Sequence, residues 1–242
     1  MKINLIASPR NLSTALMYAF HHRGDTLVID EPFYGYYLKT EKVEHPGKQE
    51  ILASMPTDYQ QILKSFDEPV KHKHVFLKNM AHHHTGFGMG YATKFVNLFV
   101  IRDPKYAMAS FTKVIPRPTL KDLGIQRQWE LFQEASQGNM NPLVFDSSEL
   151  LMNPTVNLKM VCELLQLPFT SKMTTWPPGA IEPEGIWARH WYQNVHNSTG
   201  FKPFSPHAVH LDTYHRRIYE KARRVYDLFS PYKIKLHASK IQ

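Results

Sequence analysis

The chain has 242 residues, of which 43% are hydrophobic and 21% charged, and its formal net charge is +8. This composition excludes a disordered chain, and the surplus of cations favours an anionic partner such as a nucleotide, a nucleic acid or a membrane surface. No apolar run approaches the roughly 20 residues of a membrane-spanning helix, residues 1–8 do not resemble a signal peptide, and the single Cys162 allows no internal disulfide. We expect a soluble, cytoplasmic protein with one domain over residues 1–242.

Five short apolar segments, rich in β-branched and aromatic residues, predict buried strands at residues 2–7, 26–29, 75–77, 95–101 and 143–145. The segments between them show helical periodicity. It predicts helices at residues 12–24, 58–66, from 104 onward, and at 120–137, 156–167 and 213–229. Residues 170–206 are rich in proline and aromatic residues without a period, and we expect an ordered loop that covers one part of the domain.

The alternation of strands and helices predicts an α/β fold, a three-layer sandwich around a central, mostly parallel sheet of about five strands. Ligands of such sheets bind beyond the carboxyl ends of the strands. The residues that directly follow each strand are therefore the first place to look for functional side chains.

The first candidate site is the loop after the first strand, which reads Pro9, Arg10, Asn11, Leu12, Ser13, Thr14. A turn from strand to helix collects free backbone N–H groups and the positive end of the helix dipole, and phosphate binds there. Arg10 adds a cation, and Ser13 and Thr14 add two hydroxyl groups. The loop lacks the Gly-Lys-[Ser/Thr] ending of nucleotide triphosphatases, which disfavours ATP or GTP.

The second candidate site follows the fourth strand, where Arg102 precedes Asp103 and Pro104. Proline is favoured at the first turn of a helix, so a helix is expected to begin here. Ser110 comes eight residues after Arg102, about two turns into that helix. Arg102 is therefore expected at the edge of the sheet where ligands bind.

These two segments, in this order, resemble the sulfotransferases that use 3′-phosphoadenosine 5′-phosphosulfate (PAPS), which have a P-loop-type fold. Arg10, Ser13 and Thr14 match the family's loop for the 5′-phosphosulfate, whereas Asn11 and Leu12 replace its usual Ser-Gly. The resemblance implies that Arg102 and Ser110 bind the 3′-phosphate. Residues 143–154 and 165–169 are similar to later family segments. The implied reaction is in-line transfer of a sulfuryl group from PAPS to a hydroxyl or amine of a small molecule.

Two further features follow from the resemblance. Residues 187–192 and 195–201 are similar to the family's loop that closes over the nucleotide, which makes Ser198, Thr199 and Gly200 candidate contacts of the 3′-phosphate. Many family members stack adenine on a tryptophan directly after the paired hydroxyls. Ala15 occupies that position here, so the residue that stacks on adenine is not assigned.

The general base has two candidate locations, and the sequence leaves both open. Glu31 follows the second strand, and bacterial relatives that act on sugars carry a similar Glu-Pro there. His82 and His83 follow the third strand, close to the place of the catalytic histidine in animal relatives. Arg10 is expected to stabilise the leaving phosphate. No metal is predicted, because consecutive histidines cannot easily converge on one ion.

Three alternatives remain open at this stage. A small-molecule kinase on the same fold is disfavoured by the missing loop lysine. A nucleic-acid-binding protein would use the net charge of +8, but the chain has no recognisable motif that reads bases. A nucleotide-binding protein without catalytic activity would explain why both candidate base positions depart from the family pattern.

Overall fold

The computed structural model describes residues 1–68 and 71–236. Within these residues, five parallel strands form one sheet in the order β2-β3-β1-β4-β5. The predicted α/β fold with a parallel five-stranded sheet is therefore confirmed. The strands are β1 (Lys2–Ala7), β2 (Thr26–Asp30), β3 (His74–Met80), β4 (Val96–Ile101) and β5 (Leu143–Asp146).

Helices connect these strands, and in the described part of the chain single-turn 3₁₀ helices lie at Ala81–His83, Met89–Ala92, Ser171–Met173 and Ser230–Tyr232. Most of the helices lie where the periodicity predicts them. The α-helices are α1 (Ser13–His21), α2 (Tyr34–Glu41), α3 (Lys48–Ser54), α4 (Tyr59–Ser65), α5 (Pro104–Phe111), α6 (Leu120–Leu123), α7 (Ile125–Gln137), α8 (Ser147–Met152), α9 (Pro154–Leu164), α10 (Ala188–Trp191), α11 (Gln193–His196) and α12 (Thr213–Leu228).

The sheet has a hydrophobic core on each of its faces, because side chains alternate between the two faces along every strand. In β1, Leu5 belongs to the core beneath α1 and α9, and Ile6 belongs to the core beneath α7 and α12. Strands buried on both faces read as continuous apolar runs, which is the pattern that the sequence shows. The sheet is the middle layer of three.

The predicted helix at residues 120–137 is wrong in one respect, since it breaks at Gly124. This residue adopts a left-handed conformation with φ of +66°, which ends α6 and begins α7. Glycine enters that region without steric cost, whereas a continuous helix cannot pass through it. The break turns α7 so that its first residues face the loop after β1.

Helices α2, α3 and α8 were not predicted, and α10 and α11 lie within residues 170–206, which were expected to form a loop. Helix α2 begins with three tyrosines among its first four residues, and two of them, Tyr34 and Tyr37, are buried. Such an aromatic run lacks the regular polar positions of an amphipathic helix, so its sequence gives no helical period. Its formation depends on packing against residues distant in sequence. Among the described residues, no helix combines the length and apolarity needed to cross a membrane.

Candidate active site

The loop after β1 is fixed by a buried amide on α7. Gln128 is fully buried, and its Nε2 donates to the carbonyl oxygens of Ile6 at 3.0 Å and Val100 at 2.8 Å. Its Oε1 accepts a hydrogen bond from Ser8 Oγ at 2.8 Å. Asn11 Nδ2 donates to the carbonyl of Val100 at 3.2 Å. The loop is therefore held against the carboxyl ends of both β1 and β4.

The backbone of this loop passes twice through the left-handed region, at Arg10 (φ 66°) and at Leu12 (φ 70°). Such a conformation costs a residue with a Cβ roughly 1–2 kcal/mol, and backbone strain of this kind concentrates at functional sites. Leu12 adopts it where the sulfotransferase pattern has glycine. Helix α1 begins directly afterwards without a side-chain cap. Its first-turn N–H groups therefore lie beside the loop without a capping side chain.

The two segments predicted to bind phosphate, the loop after β1 and the segment after β4, contact each other at Arg10. The Arg10 Nε donates to Ser110 Oγ at 2.9 Å, and an Nη of Arg102 donates to the backbone carbonyl of Arg10 at 3.0 Å. Arg102 lies 92 residues from Arg10 in the sequence. The fold thus brings both predicted motifs together at the ends of the neighbouring strands β1 and β4.

Neither arginine forms an ion pair with a described residue, although Asp146 and Asp103 lie close enough to Arg102 to favour its charged form and to oppose the lowering of its pKa by burial. Among the described residues, no carboxylate lies within ion-pair distance of Arg10 or Arg102, and the buried Nε of Arg102 has no hydrogen-bond partner. Burial lowers the pKa of both side chains, yet a guanidinium group stays charged at neutral pH. Both side chains are half-buried, and a guanidinium group partly withdrawn from water favours an anionic ligand.

The residues predicted in the covering segment bind other parts of that segment. Ser198 Oγ accepts from Trp176 Nε1 at 3.1 Å and donates to the carbonyl of Val195 at 2.8 Å. Gly200 forms an isolated antiparallel bridge, and the carbonyl of Thr199 accepts from the Trp176 N–H at 3.1 Å. Among the described contacts, none joins these three predicted residues to either arginine.

A second buried site lies at the ends of β2 and β3. The Lys78 side chain is 1% exposed, and its Nζ contacts Asp30 at 3.0 Å, the Glu31 carboxylate and the Tyr192 hydroxyl. The Tyr192 hydroxyl lies 2.9 Å from an oxygen of each carboxylate, and Trp187 Nε1 donates to it at 3.2 Å. We call Asp30, Glu31, Lys78 and Tyr192 the Lys78 cluster.

Electrostatics explain the protonation states of the Lys78 cluster. Burial raises the pKa of Asp30 to about 6, although Lys78 opposes the shift. Burial alone would lower the pKa of Lys78, but the two carboxylates outweigh it, and the pKa lies above its usual value. Burial and the carboxylates raise the pKa of Tyr192, which stays a neutral donor. Glu31 also has a left-handed backbone, with φ of 45°.

The predicted histidines have different surroundings. His83 is buried, with Nδ1 3.8 Å from Glu31 Oε2 and its ring stacked on Tyr34 at 4.6 Å. His84 is also buried, and its Nε2 bonds the Tyr91 hydroxyl at 3.0 Å. Burial lowers the pKa of both imidazoles, so both are neutral at pH 7. His83 is part of the packed interior, whereas His84, although buried, also lines a cleft beside α7.

His82 faces a cleft of about 800 Å³ between residues 82–88 and helices α6 and α7, hereafter the cleft. Its buried Nδ1 has no hydrogen-bond partner among the described residues. A Cβ placed on Gly124 would lie 3.5 Å from this Nδ1 and 3.4 Å from Pro9 Cδ. His82 and the loop after β1 therefore meet at Gly124, on the border of the cleft. In the described part of the chain, no group of acidic, histidine or cysteine side chains is arranged to hold a metal.

Sequence reasoning missed three residues of this region, namely Gln128, Lys78 and Tyr192. Lys78 gave a usable signal, because a lysine inside an otherwise apolar strand must find buried partners. Two carboxylates directly after the neighbouring strand were the available partners. Gln128 and Tyr192 gave no such signal, since their contacts depend on how α7 and the covering segment pack.

Comparison with known proteins identifies the class. The family described as "Sulfotransferase domain" matches residues 1–217, and the chain belongs to this family. The Synechococcus PCC 7002 olefin synthase contains a sulfotransferase domain whose structure matches with a TM-score of 0.52 at 13% identity, covering 91% of this chain and 94% of that one. This similarity supports the fold alone.

Two curated relatives from Arabidopsis thaliana are named branched-chain-amino-acid aminotransferase-like proteins 2 and 1. Each is 31% identical to this chain, over 228 and 225 residues, or 93% and 92% of it. The chain spans only 41% and 40% of their lengths. It is therefore similar to about two fifths of each relative.

Proposed function

We propose that the chain is a sulfotransferase that uses PAPS as donor and a small molecule with a hydroxyl or amine as acceptor. The observation that carries this proposal is the meeting of Arg10, Arg102 and Ser110, two cations and a hydroxyl group with no carboxylate within ion-pair distance among the described residues. A donor with phosphate groups at both ends of a nucleoside matches such a site. Membership of the sulfotransferase family supports the same donor.

Each part of the phosphate region has a proposed task. The loop N–H groups, Ser13 and Thr14 hold the 5′ end of the donor, and Arg102 and Ser110 hold its 3′-phosphate. PAPS supplies a sulfuryl group bonded to a phosphate leaving group. Arg10 stabilises the negative charge that grows on this phosphate, and such preorganised donors supply a large part of the catalysis in group transfer. Ser198, Thr199 and Gly200 remain candidates for closing over the nucleotide.

The reaction forms one bond and breaks one. The acceptor oxygen or nitrogen bonds to sulfur, the bond from sulfur to the 5′-phosphate oxygen breaks, and adenosine 3′,5′-bisphosphate leaves. The acceptor's proton must pass to a base that lies next to both the acceptor and the donor.

We assign this base to His82 rather than Glu31 or His83. His82 lines the cleft, its side chain is only partly buried, and it borders the loop after β1 at Gly124. Glu31 is held by Lys78 and Tyr192. Burial lowers the pKa of His82 to about 3, so the imidazole is neutral and, without the donor bound, a weak base. The negative charges of the donor would raise this pKa toward a useful value.

The assignment is tested with labelled PAPS and a panel of phenols, sugars and amines. We expect His82→Asn to lower the turnover rate by roughly 100- to 10,000-fold, the usual span for loss of a general base. Its affinity for adenosine 3′,5′-bisphosphate should not change. Glu31→Gln is the comparison variant. If folded Glu31→Gln is inactive while His82→Asn turns over normally, Glu31 is the base and the assignment is wrong.

A further inference from the structure

The cleft beside His82 indicates which acceptors the protein takes. We propose that the cleft is the acceptor site, and that the acceptor carries both a hydroxyl group, which is sulfated, and a cationic amine. This inference rests on the proposed sulfotransferase function and extends it to the chemical class of the acceptor.

The size and position of the cleft match an acceptor site. A volume of about 800 Å³ lies within the range of sites that bind small molecules. His82 and Gly124 line the cleft, and Pro9 of the loop after β1 lies on the other side of Gly124. A hydroxyl group held at His82 is therefore next to the loop that is proposed to present the sulfuryl group.

The wall of the cleft is tied to helix α7. Arg127 donates from Nε to the carbonyl of His84 at 3.0 Å and from an Nη to the carbonyl of Phe87 at 2.6 Å. Glu134 Oε1 accepts from the N–H of Met89 at 2.7 Å. These bonds hold residues 84–89 against the helix, so the cleft is formed before any ligand binds.

The charges of the cleft oppose those of the whole chain. Lys121 pairs with Glu41 at 2.8 Å, and Arg127 pairs with Glu130 at 3.1 Å. In the described ranges, Glu134 has no ion-pair partner, which leaves one carboxylate in excess. His82 and His84, which also line the cleft, have a pKa lowered by burial to about 3 and add no positive charge.

An excess carboxylate in a chain of net charge +8 favours a cation in the cleft and repels an anion. Glu134 is fixed by the Met89 N–H, and its carboxylate closely approaches Gly88 in the cleft wall. Glu134 is an exposed residue, so this carboxylate lies where the cleft meets solvent and can accept a hydrogen bond from an ammonium group. Phe87 provides an aromatic surface in the same cleft. The matching ligand has a hydroxyl at one end, an apolar or aromatic middle and an amine at the other end.

The test compares tyramine with 4-propylphenol, which has a methyl group in place of the ammonium. Both are titrated by calorimetry into the full chain, with and without adenosine 3′,5′-bisphosphate. We expect tyramine to bind about tenfold more tightly, because a charge-assisted hydrogen bond is worth about that factor. Glu134→Gln keeps the acceptor of the Met89 N–H but loses the charge, and it should reduce the ratio to below about threefold.

The matched control is Glu163→Gln, which removes the same charge from an exposed position on α9, a helix of the other core. It should leave the tenfold preference intact. Equal affinities for the two probes, no binding of either, or a preference that persists in Glu134→Gln would overturn the inference. Binding of the bisphosphate without a preference for tyramine contradicts only this inference, whereas failure to bind the bisphosphate contradicts the proposed function.

Discussion

Two regions along the carboxyl edge of the sheet differ in how their cationic side chains are paired. At the ends of β1 and β4, Arg10 and Arg102 have no carboxylate within ion-pair distance among the described residues. At the ends of β2 and β3, Lys78 contacts two carboxylates and a tyrosine hydroxyl, all of them buried. The first region has hydrogen-bonding capacity left for a ligand, and the second has used its capacity internally.

This difference distinguishes a region that can bind a ligand from a region that stabilises the fold. A charged side chain that is withdrawn from water without a partner lowers the stability of the protein. Such a side chain is expected where a ligand of opposite charge binds. A self-paired cluster needs no ligand and can fix the positions of the elements that carry it. Tyr192 joins the covering segment to the ends of β2 and β3 in this way. A charged side chain at the sheet edge is therefore weak evidence for catalysis until its partners are known.

The largest expected effect comes from breaking the Lys78 cluster. Lys78→Met leaves Asp30 and Glu31 buried without a cation, and removing one partner of a buried pair costs about 3–5 kcal/mol. Denaturant unfolding at pH 8 measures the loss. The control is Lys78→Met combined with Asp30→Asn and Glu31→Gln, which should recover most of the stability. If Lys78→Met alone is as stable as the parent, the cluster does not support the fold.

The next largest effect is expected on the turnover rate when Arg10, in the loop after β1, is replaced. Arg10→Ala should lower the turnover of PAPS by about 100-fold, the usual result of removing one donor from a site of developing charge. Its free energy of unfolding should fall little, because Arg10 has no ion-pair partner among the described residues. Steady-state kinetics at saturating PAPS measure the effect. A normal rate would remove Arg10 from the catalytic residues.

The smallest effect is a pH dependence of stability. The pKa of Asp30 is about 6 in the folded protein, above its unfolded value of about 3.9. The folded state therefore holds the proton more tightly, and this stabilisation is complete below about pH 4 and lost as the pH rises through about 6. Relative to Asp30→Asn, the parent should lose on the order of 2 kcal/mol between pH 4 and pH 7. Parallel stability curves would contradict the raised pKa.

The sequence predicted much of the fold, because buried parallel strands are continuous apolar runs that need no tertiary information to recognise. The strand at residues 2–7 is confirmed in full. The sequence did not predict those elements whose conformation depends on packing against residues distant in the chain. Helix α2 is an aromatic run without a helical period. Gly124 reads in the sequence as an ordinary glycine inside a helix, and only its contacts with the neighbouring loop show that the helix breaks there.

The candidate site was predictable to a smaller extent. Arg10, Arg102 and Ser110 were named from their places after strands, and the fold brings them together. The sequence did not show that Glu31 has buried partners, because Tyr192 lies more than 160 residues away in the chain. Nor did it separate His82 from His83, since neighbouring residues of a turn face opposite environments. The roles of these residues remain predictions.

The central claim is that Arg102 and Ser110 form a site for the 3′-phosphate of the donor. Calorimetric titration of the full chain with adenosine 3′,5′-bisphosphate and with adenosine 5′-monophosphate tests it most directly. We expect the bisphosphate to bind at least about tenfold more tightly, since a charge-assisted hydrogen bond supplies about that factor, and Arg102→Met to remove the difference. Equal affinities of the parent chain for the two nucleotides would contradict the claim.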